Sequence, residues 1–67
     1  MQITINNEVL DITAGTTLQQ LVFSRLGEKQ NGIAVAVNNT VISRNLHDSH
    51  ILQPHDTVLI IKATQGG

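Results

Sequence analysis

Three histidines, His47, His50 and His55, fall within one stretch and are the first side chains to weigh for chemistry. His47 and His50 are three residues apart, so a helical turn would put both on one face, where their ring nitrogens could hold a metal ion. A tetrahedral site asks for more than two ligands, and the chain has no cysteine to add. With Asp48 and Asp56 nearby, solvated loop histidines are the simpler account, and no metal site is expected. Ser24, Ser43 and Ser49 would act as nucleophiles only beside a base, an oxyanion hole and a pocket, which so short a chain can hardly build while keeping a core. Gly15, Gly27 and Gly32 are too widely spaced for a phosphate-binding loop and lack the strand-to-helix context. Lys29 and Lys62 read as solvated cations, either of which could touch a partner at its rim. No catalytic residue is expected.

Composition narrows the setting. A chain of 67 residues that is 40% hydrophobic and 13% charged can form a single domain around one core. The absence of cysteine excludes a disulfide framework, a thiolate metal cluster, a redox motif and a cysteine nucleophile, and suits a cytoplasmic location. Four basic residues against five acidic ones, a formal charge of −1, provide no electrostatic footprint for nucleic acid or anionic lipid. Phe23 is the only aromatic residue, which removes base-stacking platforms and aromatic cages. Apolar runs such as Val58 to Ile61 are far too short to span a bilayer, and the N-terminus has no leader pattern. Neither a membrane nor a nucleic acid is an expected partner.

The elements follow from periodicity. Gln2 to Asn6 alternates polar and apolar residues, and Val9 to Ile12 resumes after a turn-prone Asn6-Asn7-Glu8, which predicts a hairpin. Thr16 with Gln19 has the spacing of a capping box, and Leu18, Leu21, Val22 and Leu26 recur at helical intervals, predicting a helix from Thr17 to Leu26 that Gly27 ends. After the polar loop Glu28 to Gly32, a strand spans Ile33 to Val37, and Asn38-Asn39 turns it into a partner strand, Thr40 to Ile42. Ser43 to His55 reads as a polar connection with a short helical turn around Leu46 to His50, closed by Pro54-His55-Asp56. The last strand is Thr57 to Ala63.

Two hairpins, one amphipathic helix and a final strand make an α+β arrangement, a mixed sheet of four to five strands with the helix on one face. Ile3, Ile5, Val35, Val37, Val58 and Ile60 are expected on that face, meeting Leu18, Leu21, Val22 and Leu26. Period-two alternation then sends Leu59 and Ile61 outward, beside the small Ala34 and Ala36 if those strands are neighbours. Either the segment Ser43 to Asp56 covers this outer patch or the patch is a docking surface. Residues 1–63 form the domain, and 64–67, which carry no pattern to hold them, form a flexible tail ending in Gly66-Gly67.

The element order and the terminal diglycine resemble the ubiquitin-like β-grasp proteins over the whole chain. Within that superfamily the opening Met1-Gln2-Ile3, the segment Ala36-Val37-Asn38-Asn39 with Val41 and Arg44, and Asp56-Thr57-Val58 resemble the ThiS family of sulfur carriers. Two loop positions depart from the family pattern: Ser43 stands where a proline is common, and Pro54-His55-Asp56 where Asp-Gly-Asp is common.

The resemblance implies a chemistry for the tail. A carboxylate is a poor electrophile, and adenylation of Gly67 by an E1-like, ThiF-like adenylyltransferase that uses ATP would supply a leaving group. A sulfur-donating persulfide protein or sulfide would then convert the carboxyl to a thiocarboxylate, which a ThiG-like thiazole synthase would draw on for thiamine biosynthesis. The chain itself would be a substrate and carrier, not an enzyme, and would bind no cofactor. Gly66 and Gly67 suit recognition in a narrow slot because they lack side chains, and four extended residues from Thr64 reach about 13 to 14 Å. Leu59, Ile61, Ala34 and Ala36 would be the docking surface. Three other readings stay open at this point: a carrier of the molybdopterin branch, a modifier joined through Gly67 to lysines of target proteins, and a plain interaction module with an incidental end.

Overall fold

The structure is a computed structural model that describes residues 1–28 and 32–62. Two β-hairpins supply its flanks. The first joins β1 (Gln2–Ile5) to β2 (Glu8–Asp11), and the second joins β3 (Ile33–Val37) to β4 (Thr40–Ile42). Each turns through an Asn-Asn pair with both residues at positive φ, 49° and 69° at Asn6 and Asn7 and 50° and 70° at Asn38 and Asn39. That two-residue geometry matches the twist of paired strands, and asparagine tolerates it better than most residues.

The last strand, β5 (Thr57–Lys62), inserts between the hairpins, so the sheet order is β2-β1-β5-β3-β4. It runs parallel to β1, pairing Thr4 with Thr57 and Ile5 with Val58, and antiparallel to β3, from Val37 opposite Val58 to Ile33 opposite Lys62. The result is a five-stranded mixed sheet with one helix across it, the ubiquitin-like β-grasp arrangement.

The helix α1 (Leu18–Leu26) starts one residue later than Thr16 and Gln19 suggest. Thr17 is the N-cap: its hydroxyl accepts from the Gln20 amide at 3.2 Å, and the Gln20 side chain accepts from the Thr17 amide at 2.9 Å. Thr16 is occupied elsewhere, its hydroxyl donating to the Thr13 carbonyl at 2.6 Å. Two more first-turn donors are satisfied by the connection that follows β4, Leu18 N–H by the His50 carbonyl at 2.8 Å and Gln19 N–H by the His47 carbonyl at 2.9 Å. Gly27, at φ 62°, ends the helix and donates to the Phe23 carbonyl at 2.7 Å.

The core lies between helix and sheet. Ile3, Ile5, Val35, Val37 and Val58 meet Leu18, Leu21 and Val22, while Ile60 and Leu26 pack at its margin. Leu52 completes it and is, among the described residues, the one fully buried core residue outside the strands and the helix, a position that lone apolar residues in a polar stretch do not advertise. It is pinned by its amide, which donates to the Thr16 carbonyl at 2.9 Å, and by a single bridge between Ile51 and Thr17. The segment from Ser43 to Asp56 thus straps over the start of the helix on the core side. Its helical turn spans Arg44–Leu46, earlier than the expected Leu46 to His50.

Candidate functional site

On β5 successive residues change face. Val58 enters the core, and Leu59 and Ile61 stand on the opposite face of the sheet, 41% and 47% exposed. The register places Ala36 beside Leu59 and Ala34 beside Ile61, as alternation implies. The strap does not reach these residues, because Leu52 anchors it on the helix side, so the outer patch is open.

The two alanines differ. Ala34 is exposed, whereas Ala36 is only 9% exposed. Ala36 has Leu59 on one side and Val41 on the other in the ladder, and a lone methyl group between two larger side chains has little surface to offer. It forms the floor of the patch, on the outer face where alternation puts it. Val41, 69% exposed, belongs to the patch as well. The signal for it was present, since a two-residue turn at Asn38-Asn39 sets Val41 opposite Ala36. Thr4 and Thr57 continue this face toward β1, and Val9, opposite Thr4, extends it onto β2. None of these residues is charged, which leaves an apolar centre that a partner can cover without desolvating an ion.

The histidines do not assemble. His47 is buried, 3% exposed, with Nε2 3.0 Å from the Ile42 carbonyl, which corrects its expected place in solvent. The strap folds it inward, where it links the end of β4 to the helix start through its ring and its carbonyl. His50 is half-buried, and His55 is exposed in the turn at φ 68°. His55 holds the middle position of Pro54-His55-Asp56, where a left-handed backbone suits glycine better than a residue with a Cβ. Among the described residues no group of three or more His, Cys, Asp or Glu could hold a metal ion. Ser24 and Ser49 donate to backbone carbonyls, of Leu21 at 2.8 Å and Leu46 at 3.2 Å, so neither engages a histidine through those bonds. An open polar depression of about 330 Å³, lined by Gln19, Arg44, Asn45 and Asp48, lies by the helix start and away from the outer sheet face.

Asp56 is buried, which its place in a turn did not suggest. Its carboxylate accepts from the Gln53 amide at 2.8 Å and from Asn38 Nδ2 at 3.0 Å, while Asn38 Oδ1 accepts from the Thr57 amide at 3.0 Å. The second hairpin turn is thereby locked to the start of β5. Lys62 ends the strand exposed, and Gly66 and Gly67 lie outside the described residues, as do Lys29, Ala63 and the rest of the expected tail.

Fold and patch define a small β-grasp domain with one covered sheet face, one face that no element among the described residues covers, and its last strand at the centre. Among the described residues no helix is long and apolar enough to cross a membrane. Residues 3–67 match the ThiS family. The chain belongs to that family. It is 33% identical over 67 residues to "Sulfur carrier protein ThiS" of Escherichia coli (strain K12), a match that covers all of both chains. In fold it is similar to the crystal structure of the thiamine biosynthesis protein (ThiS) from Geobacter metallireducens, with a TM-score of 0.85 and 19% identity over the whole of both chains.

Proposed function

We propose that this chain is a sulfur carrier of thiamine biosynthesis, acting in the cytoplasm, and that the carboxyl group of Gly67 carries the sulfur as a thiocarboxylate. The observation that carries the reading is the uncovered apolar face on the central strand β5, the same strand that leads toward the terminal Gly66-Gly67 of a ThiS-family chain. A carrier needs a body to be held and an end to react, and β5 serves both.

In the proposed sequence a Gly67 carboxylate oxygen attacks the α-phosphorus of ATP on an E1-like adenylyltransferase, forming an acyl adenylate and releasing pyrophosphate. Hydrosulfide attacks the acyl carbon, and AMP leaves with the bonding electrons, giving the thiocarboxylate directly. If the donor is a persulfide protein, its terminal sulfur attacks and an acyl disulfide forms. A thiol then cleaves the S–S bond, is itself oxidised to a disulfide, and frees the thiocarboxylate. Thiazole synthase accepts the sulfur. The ATP and the chemistry of activation belong to the partners. This chain contributes a docking face at Leu59, Ile61, Ala34 and Val41, floored by Ala36, and two terminal residues without side chains.

The test is to load the chain with adenylyltransferase, ATP and a sulfur donor, and then to add thiazole synthase and its other substrates. The proposal expects the loaded chain to return to its carboxylate mass as sulfur appears in the thiazole. Discharge only to a molybdopterin-forming enzyme would move the chain to that branch, and amide bonds to target lysines would make it a modifier.

A further inference from the structure

β5 is paired from Val58 to its end on one side only. β3 accompanies it as far as Lys62, whereas β1 pairs with it at Thr57 and Val58 and then turns away. Past that point the Asn6 side chain stands in for a strand. Its Oδ1 accepts from the Ile60 amide at 2.8 Å, and its Nδ2 donates to the Ile60 carbonyl at 3.4 Å. Its own backbone N–H meanwhile donates to the Val58 carbonyl at 3.0 Å. A carboxamide presents the same donor and acceptor as a peptide group, so it can extend a ladder by one step where the backbone cannot.

We propose that Asn6 is a positioning residue for sulfur loading: by clamping Ile60, it makes the docking residues on either side, Leu59 and Ile61, one rigid unit with the strand end that leads toward Gly67. This rests on the carrier reading above. Gly67 follows Lys62 by five residues, so the position of the strand end sets the point from which the carboxylate has to reach the partner's site. Misplacement of a reacting group lowers its effective concentration at the partner's site and slows turnover, with little change in how tightly the body docks.

The contrast with Asn38 sharpens the assignment. Asn38 holds the other end of β5 at Thr57 and also donates to the buried Asp56. Its loss should lower the melting temperature, because a buried carboxylate loses a donor, and leave turnover per folded molecule alone.

The experiment compares Asn6→Gly, Asn6→Asp, Asn7→Gly and Asn38→Gly in the full chain, each shown by circular dichroism to be folded at the assay temperature. Glycine keeps the left-handed turn and removes the clamp, aspartate keeps the acceptor for the Ile60 amide, and Asn7, at φ 69°, controls for turn flexibility. Asn6→Ser, too short to reach Ile60, replaces Asn6→Gly if that variant does not fold. Two quantities are read: amide hydrogen exchange at Ile60, and kcat and KM for thiocarboxylate formation. Asn6→Gly should speed exchange about tenfold and lower kcat about three- to tenfold, with KM within about twofold. Asn7→Gly and Asn38→Gly should keep a kcat close to that of the unmodified chain, and Asn6→Asp should lie between them and Asn6→Gly, because it keeps the acceptor for the Ile60 amide but sets an oxygen against the Ile60 carbonyl. Equal kcat for Asn6→Gly and Asn7→Gly would overturn the proposal, as would a loss of kcat in Asn38→Gly as large as in Asn6→Gly. If the unmodified chain takes up no sulfur, the carrier reading and the role in loading fall together. Faster Ile60 exchange would then leave Asn6 a structural clamp only.

Discussion

The two faces of the sheet come from the same five strands and meet opposite fates. Ile3, Ile5, Val35, Val37 and Val58 are buried under the helix and the strap, while Val9, Val41, Leu59 and Ile61 on the other face are exposed. Side-chain chemistry does not separate the two sets, since both are aliphatic. Cover separates them. The helix and Leu52 close one face, and among the described residues no element crosses the other. On β5 the boundary falls between adjacent residues, with Val58 fully buried and Leu59 41% exposed. On the proposed reading, folding and docking are carried by alternate residues of one strand and can be perturbed separately.

The largest effect should come from the covered face. Leu18→Ala leaves a cavity where helix meets sheet and is expected to cost about 2 to 5 kcal/mol in urea denaturation, while sulfur loading of the molecules that remain folded is unchanged. A cost well under 1 kcal/mol would mean that the core is less closely packed than its burial indicates. Leu59→Asp reverses the pattern. Stability should move by less than about 1 kcal/mol, whereas affinity for the adenylyltransferase, measured by titration calorimetry, should weaken by about 2 kcal/mol or more. Val41→Asp should weaken it less, because Val41 sits on edge strand β4 rather than at the centre. Unaltered binding in both variants would remove the outer face from the docking account.

Smaller effects test local details. Thr17→Ala is expected to cost about 1 kcal/mol and Thr16→Ala distinctly less, because the Thr17 side chain caps the helix and the Thr16 hydroxyl donates to the Thr13 carbonyl instead. The reverse order in thermal melts would restore the capping box one residue earlier. His55→Gly should raise stability by about 0.5 to 1 kcal/mol by relieving the left-handed backbone, with no change in loading.

How far the chain could be read beforehand follows from how local each signal is. Strands Ile33–Val37 and Thr40–Ile42 were legible residue for residue, since an Asn-Asn turn sets both boundary and register. The outward pair Leu59 and Ile61 followed from alternation alone. His47, Leu52 and Asp56 were not legible. Each is buried by contacts with residues far along the chain or by a turn that closes only when β5 is in place, and a lone apolar or polar residue in an aperiodic stretch carries no period to read. The capping box lies one residue beyond the pair Thr16 and Gln19 because two consecutive threonines are each followed at the right distance by a glutamine, and only the Thr13 carbonyl separates them.

The central claim is that Gly67 is the atom-bearing end of a sulfur carrier, and intact-protein mass spectrometry tests it most directly. The full chain and a Gly67-deleted chain are each incubated with an E1-like adenylyltransferase, ATP and a sulfur donor. The account predicts a mass gain in the full chain equal to one oxygen replaced by one sulfur, and none in the deleted chain. No gain in the full chain, with the same enzyme active on another carrier, would contradict it, as would an equal gain in the chain that lacks Gly67.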